Sequence, residues 1–183
     1  MAASHPGHPI LLYVNTVRDD GKQRRIDSFT GPEGLRDVLV DAGLAPRGTA
    51  APGPGQMATL IALRETAYAV LSALAAGRKP DREEALMLET AIKGALQDAS
   101  LGFHAGGLSV MPGPLGGLHD RLVLSLFDLM RRDDLHRLCE CGRCSHLFLD
   151  HGRGAGRRWC SMARCGNRAK AAAFRRRHRQ TPT

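Results

Sequence analysis

Apolar positions along the first 130 residues recur mainly at helical spacing. Leu60, Leu63, Ala67, Val70, Leu71 and Leu74 form one stripe within 56–76 and stop at Gly77. Residues 32–42 repeat the pattern with Leu35, Val38 and Leu39 and stop at Gly43. Pro80 and Asp81 open a third helix to about Asp98, with Glu83 and Glu84 in its first turn. Leu122, Leu126 and Leu129 mark a fourth within 118–130. Two stretches stay ambiguous. Ile10 to Val17 is an apolar run that suits a buried strand or the first turns of a helix, and 101–110, with three glycines, suits a short hairpin or an irregular excursion. The body is therefore expected to be mostly α, with α+β as the alternative. No uninterrupted apolar run approaches 18 residues, so a membrane span is not expected.

Charge divides the chain. Residues 1–135 hold 14 Lys+Arg against 16 Asp+Glu, and residues 136–183 hold 12 against 2. A segment of net charge +10 seeks polyanions. All five cysteines lie between positions 139 and 165. The N-terminus lacks the features of a secretory signal, so a cytoplasmic location is expected and a disulfide framework is not. Clustered cysteines in a short basic segment point to metal ligands, with zinc as the metal. Domains are expected at 1–135, folding without metal as a ligand-sensing or dimerising unit, and at 136–183, a zinc module binding nucleic acid. Asn15, the polar residue in the first apolar run, is expected to bond the backbone, with a ligand contact as the alternative. Phosphate loops, HExxH and nucleophile elbows are absent, so no enzymatic role is expected.

Four of the five thiols suffice for a tetrahedral site. Cys139 and Cys144 enclose four residues, as do Cys160 and Cys165, but Cys141 and Cys144 form the commoner C-x2-C spacing. Spacing leaves Cys139 and Cys141 as alternatives, with His146 and His151 as further candidates. Leu147, Phe148, Leu149 and Trp159 are expected to form a miniature core. Asp150 suits a cap or a partner for Arg157 or Arg158.

From Ser161 the alanines favour one helix to about Arg179. At 100° per residue, Arg164, Arg168, Arg175 and Arg179 fall within an arc of about 60°. With Arg157, Arg158, Lys170 and Arg176 they are the candidate nucleic-acid contacts, since guanidinium groups match phosphate and guanine bidentately. Gly166 either allows a close approach at the metal or breaks the helix.

The run Phe148 to Lys170, with Cys165-Gly166-Asn167-Arg168 at its centre, resembles the CGNR zinc-finger family. Leu11-Leu12-Tyr13-Val14-Asn15-Thr16 is similar to the opening motif of the ABATE-type domain that such proteins carry, although Leu12 replaces its aspartate. The resemblance implies zinc on Cys139, Cys144, Cys160 and Cys165, with Cys141 as an extra. It implies a treble-clef-like or knuckle zinc module ending in a basic helix, in a bacterial, stress-induced transcription regulator. Double-stranded DNA is then the expected partner, with RNA or a protein partner as alternatives. A homodimer, a small-molecule effector in the body and association with the nucleoid accompany that reading.

Overall fold

The computed structural model describes residues 6–18, 21–105, 107–114, 116–152 and 156–179. The ambiguous first run is a helix, α1 (Pro9–Val14). His8 caps it by accepting from the Ile10 N–H, and its other ring nitrogen lies 3.0 Å from Asp128. The predicted helices follow as α2 (Gly31–Asp41), α3 (Pro54–Ala75), α4 (Arg82–Gln97) and α5 (Leu118–Met130). Between α4 and α5, β1 (Ser100–His104) pairs antiparallel with β2 (Gly107–Met111), which decides the glycine-containing stretch in favour of a hairpin. Then come β3 (Leu138–Glu140), β4 (Leu147–Leu149), a π-helical turn (Met162–Gly166) and α6 (Asn167–Arg179).

Helix α3 is central, touching α1, α4, α5 and β3. Its stripe is buried from Leu60 to Leu71, and Leu74 at its end is partly exposed. Its length and apolarity would suit a membrane crossing. Here, however, its apolar face is covered by the other helices, and Arg64 sits within that face. Arg64 is 3% exposed and pairs with Asp27 and Glu65 at 2.7 Å each. Such a charge is tolerated because its fork is fully engaged, including bonds to the Thr16 carbonyl and hydroxyl. Sequence reasoning picked only Asn15 as interior and polar. Yet Arg64, four positions after Leu60, lies on the same stripe, and that register was the signal for it.

The expected boundary at residue 135 does not divide the packing. Leu138, Leu147 and Leu149 join the same apolar core as α1, α3 and α5. Asn15 supplies the polar part of the junction. Its amide nitrogen donates to the Leu147 carbonyl and its oxygen accepts from the Leu147 N–H, both at 2.8 Å. This side chain imitates a paired strand residue, which is the backbone-bonding role expected for it, and it also lines the cleft between the body and the module. Nearby, the Leu149 N–H donates to the Pro6 carbonyl at 2.8 Å. Gly7, at φ +95°, allows that approach, since a Cβ there would stand 2.8 Å from Leu149 Cβ.

Two outcomes follow from the shared core. Asn15→Ala leaves both Leu147 groups unpaired and should lower unfolding stability by about 1–3 kcal/mol, measured by urea titration of the zinc-loaded chain. A chain ending at Asp133 should lose the cooperative thermal transition of the full chain. A cooperative melt at the full-chain temperature would show that the body needs no help from β3 and β4.

Candidate metal centre and basic helix

Strand alternation decides which side chains face the metal. On β4, Leu147 and Leu149 point into the body core, while Phe148 points the other way, onto the cysteines. The expected miniature core is therefore Phe148 and Trp159, without the two leucines. The β3–β4 connection is closed by the Cys141 N–H donating to the His146 carbonyl at 2.9 Å. Within it, Cys141-Gly142-Arg143-Cys144 forms a knuckle. Trp159 packs against the cysteines from the other side, and the Gly142 N–H donates to the Arg158 carbonyl at 2.9 Å.

The second pair is positioned by the π-helical turn. The Cys165 and Gly166 N–H groups both donate to the Ser161 carbonyl, at 2.9 and 3.0 Å, which brings Cys165 back beside Cys160. Gly166 is buried at the end of this turn, where a Cβ would lie 2.7 Å from Met162 Sδ and 3.3 Å from Trp159. Both expectations for it hold, since it admits the close approach and marks the break before α6.

The Sγ atoms of Cys141, Cys144, Cys160 and Cys165 all lie within 4.8 Å of one another. The Cys144–Cys160, Cys160–Cys165 and Cys144–Cys165 separations are each 3.6 Å. A tetrahedron with Zn–S bonds of about 2.3 Å has S···S edges of about 3.8 Å. The four thiols therefore fit one zinc ion. The Cys160 thiol and burial hold the Cys144 thiol far above its ordinary range, and burial with Cys144 pushes Cys165 up to about 12. Burial also opposes ionisation of Cys141, but the N–H groups of Cys144, Cys160 and Arg143 outweigh it and bring that thiol down to about 7. A divalent cation reverses the penalty for the crowded thiols, because coordination deprotonates them outright.

Cys141 thus takes the place expected for Cys139. Cys139 pairs with Phe148 across the hairpin and packs beside the cluster without joining it. Cys139 lies on β3 and Cys141 just after its end, and of the two only the Cys141 thiol joins the four that converge. Burial and the nearby Asp150 raise the Cys139 thiol, which suits a protonated side chain. The converging thiols follow the C-x2-C spacing and differ from the set implied by the resemblance at this one position. Neither histidine is a ligand: His146 Nε2 lies 3.3 Å from the Val17 carbonyl and His151 Nε2 2.9 Å from Asp134.

The expected nucleic-acid contacts separate into groups. Arg157 is built into the module, with Nε donating to the Trp159 carbonyl at 2.8 Å, Nη2 to the Cys160 carbonyl, and its guanidinium 4.5 Å from the Phe148 ring centre. Its N–H donates to Asp150, which also accepts from Gly152, so Asp150 clamps the loop. Arg157 is therefore withdrawn from the contact set. Arg158 is exposed and stacks on Trp159 at 4.7 Å. The π turn spends more than 3.6 residues on a revolution, so the computed arc does not carry from Arg164 into α6. Arg164 and Arg168 instead line a cleft against the body. Lys170, Arg175 and Arg176 are exposed farther along α6, and the Arg179 side chain lies outside the described residues.

A helical body sharing its core with a four-thiolate zinc module and an outlying basic helix defines a zinc-finger protein. The chain belongs to the ABATE family, whose model, described as "Putative stress-induced transcription regulator", matches residues 7–133. The model of the CGNR zinc finger matches residues 136–178. No curated protein matches the chain.

Metal analysis of protein purified without chelator should give about one zinc per chain. Cys141→Ser and Cys160→Ser should each lose it, and Cys139→Ser should retain it. Retention by Cys141→Ser together with loss by Cys139→Ser would reverse the ligand assignment.

Proposed function

We propose that this protein is a DNA-binding transcription regulator that acts by binding rather than catalysis, in the cytoplasm. The observation that carries this reading is α6. It has no acidic residue, its described charged side chains are all exposed, and it continues directly from the π turn that the metal pair anchors. A helix of 13 residues is marginal alone. The metal-fixed turn gives it a starting point and a direction, which suits a rod presented to a polyanion. Arg175, Arg176 and Lys170 would meet phosphates, while Arg158 and Arg168, nearer the fixed turn, are better oriented for base edges. The family description, a transcription regulator, supports the same reading.

The test is affinity for duplex DNA and for structured RNA across a salt series, using the zinc-loaded chain. Duplex should bind more tightly than RNA. Arg175→Gln should retain zinc, weaken binding to all duplexes alike and lower the salt slope by about 1. Wild-type binding by Arg175→Gln and Arg176→Gln at every salt concentration would remove α6 from the interface. Preference for RNA would favour an RNA-binding adaptor.

A further inference from the structure

Between Asp98 and Asp120 the chain carries no Asp, Glu, Lys or Arg, in a sequence that is 24% charged. The hairpin of β1 and β2 lies within this stretch. Residues directly opposed across an antiparallel pair share a face. The register sets Leu101 against Val110 and Phe103 against Leu108, so one face of the hairpin is wholly apolar. That face is anchored near its base, where Val110 packs against the core. Toward the tip it stands open, with Leu101, Phe103 and Leu108 57%, 84% and 48% exposed. Phe103 is the most exposed large apolar side chain among the described residues.

The surroundings frame this face as the centre of a contact. A cleft lined by β2 and α5 carries Arg121, Asp128, Arg131 and Arg132, which places charged groups on the body side of it. An apolar centre beside a charged rim is the ordinary anatomy of a protein interface. The chain's own ends outside the described residues are poorly suited to cover it. Residues 1–5 offer one large apolar side chain, Met1, and residues 180–183 offer none.

We propose that two copies of this chain pair through this hairpin, stacking the apolar faces about a two-fold axis. The occupant follows from charge and area. An uncharged face gives a charged partner nothing to recognise. Two copies, each of net charge +8, repel when they meet through charged surface and repel least where that surface is neutral. A two-fold contact also requires a patch that complements itself, as an apolar face does. At about 200 Å² for a large side chain, the exposed parts of Leu101, Phe103 and Leu108 come to about 400 Å² per copy. Two copies then bury about 800 Å² of apolar surface. Apolar surface makes up about 65% of a homodimer interface, so the whole contact is about 1,200 Å², the lower end for a specific complex. The pairing is therefore reversible. It does not rest on DNA binding, since a chain that bound no duplex could still dimerise.

The experiment is analytical ultracentrifugation of the zinc-loaded full chain from about 1 to 200 µM. A reversible monomer–dimer equilibrium is expected, with nothing larger. Raising salt from about 50 to 500 mM should tighten it, because like charges are screened. Phe103→Ser should weaken association about tenfold or more, with zinc content and the melting temperature of the dilute chain unchanged. Leu86→Ser, at an equally exposed apolar position on α4, should stay within about twofold. A monomer at every concentration would overturn the proposal, as would equal weakening by Leu86→Ser or growth beyond the dimer. A lower melting temperature for dilute Phe103→Ser would mean that the face is covered within one chain. A monomer that binds phosphatidylcholine vesicles through Phe103 would assign the face to a lipid surface instead, and either result overturns the pairing.

Discussion

The short hairpin of β3 and β4 must serve two cores at once, and the rest of the structure depends on that constraint. Alternation along three residues sends Leu147 and Leu149 into the helical body and Phe148 onto the metal thiols. A shift of one residue would exchange those faces and expose both cores. Two strands of three residues cannot fix their own register. It is fixed from outside, by Asn15 on Leu147, by Pro6 on Leu149, and by Glu140 against Tyr68, Ser72 and Lys22. Each clamp comes from the body, so the zinc knuckle at the hairpin tip takes its position from the helices.

The loop before α2 shows how much is invested in that junction. Lys22 and Arg24 both adopt left-handed backbone, at φ 66° and 51°, an unfavourable state for side chains of this size. Both side chains then reach the module. Lys22 pairs with Glu140 at 2.8 Å, and Arg24 donates to Ser145 at 3.3 Å beside the metal cysteines while holding Glu65 and the Val14 carbonyl. The Arg24 guanidinium also lies 3.9 Å from the centre of the Tyr68 ring. Burial costs this arginine its hydration, and the complete set of partners offsets the loss.

The helical body was readable because periodicity and stop signals agreed: Gly43 and Gly77 end α2 and α3 with φ of +71° and +65°. The metal was readable from the thiols alone. Choosing among five cysteines was harder, because spacing along the chain does not reveal that Cys139 is committed to a strand pair. The π turn was hidden for a related reason. Ser161 to Gly166 has ordinary helical composition, and only the need to bring Cys165 back to Cys160 widens the turn. Arg157 carried the charge expected of a contact residue, yet the nearby carbonyls of Trp159 and Cys160 captured it. In each case the deciding partner lies only a few residues away, but the folded geometry that brings it into reach is not written in the pattern of apolar and charged positions.

The π turn also explains why one charged segment can face two ways. A regular helix from Ser161 would place Arg164, Arg168 and Arg175 on one stripe. Widening the first turn frees Arg164 from that stripe while keeping it at the zinc, and Arg168, in the first turn of α6, stays close enough to share the cleft wall with it. Arg175 and Arg176 lie about 10 Å or more beyond, at 1.5 Å per residue, and face solvent. The metal thus sits at a branch point: on one side it fixes a wall against the body, and on the other it sets the direction of an exposed basic rod. Any change at the wall that moves the π turn must also swing the rod, because α6 continues directly from that turn. The lever is short at the zinc and long at Arg176, so a small displacement at the centre becomes a larger one where phosphates would be met.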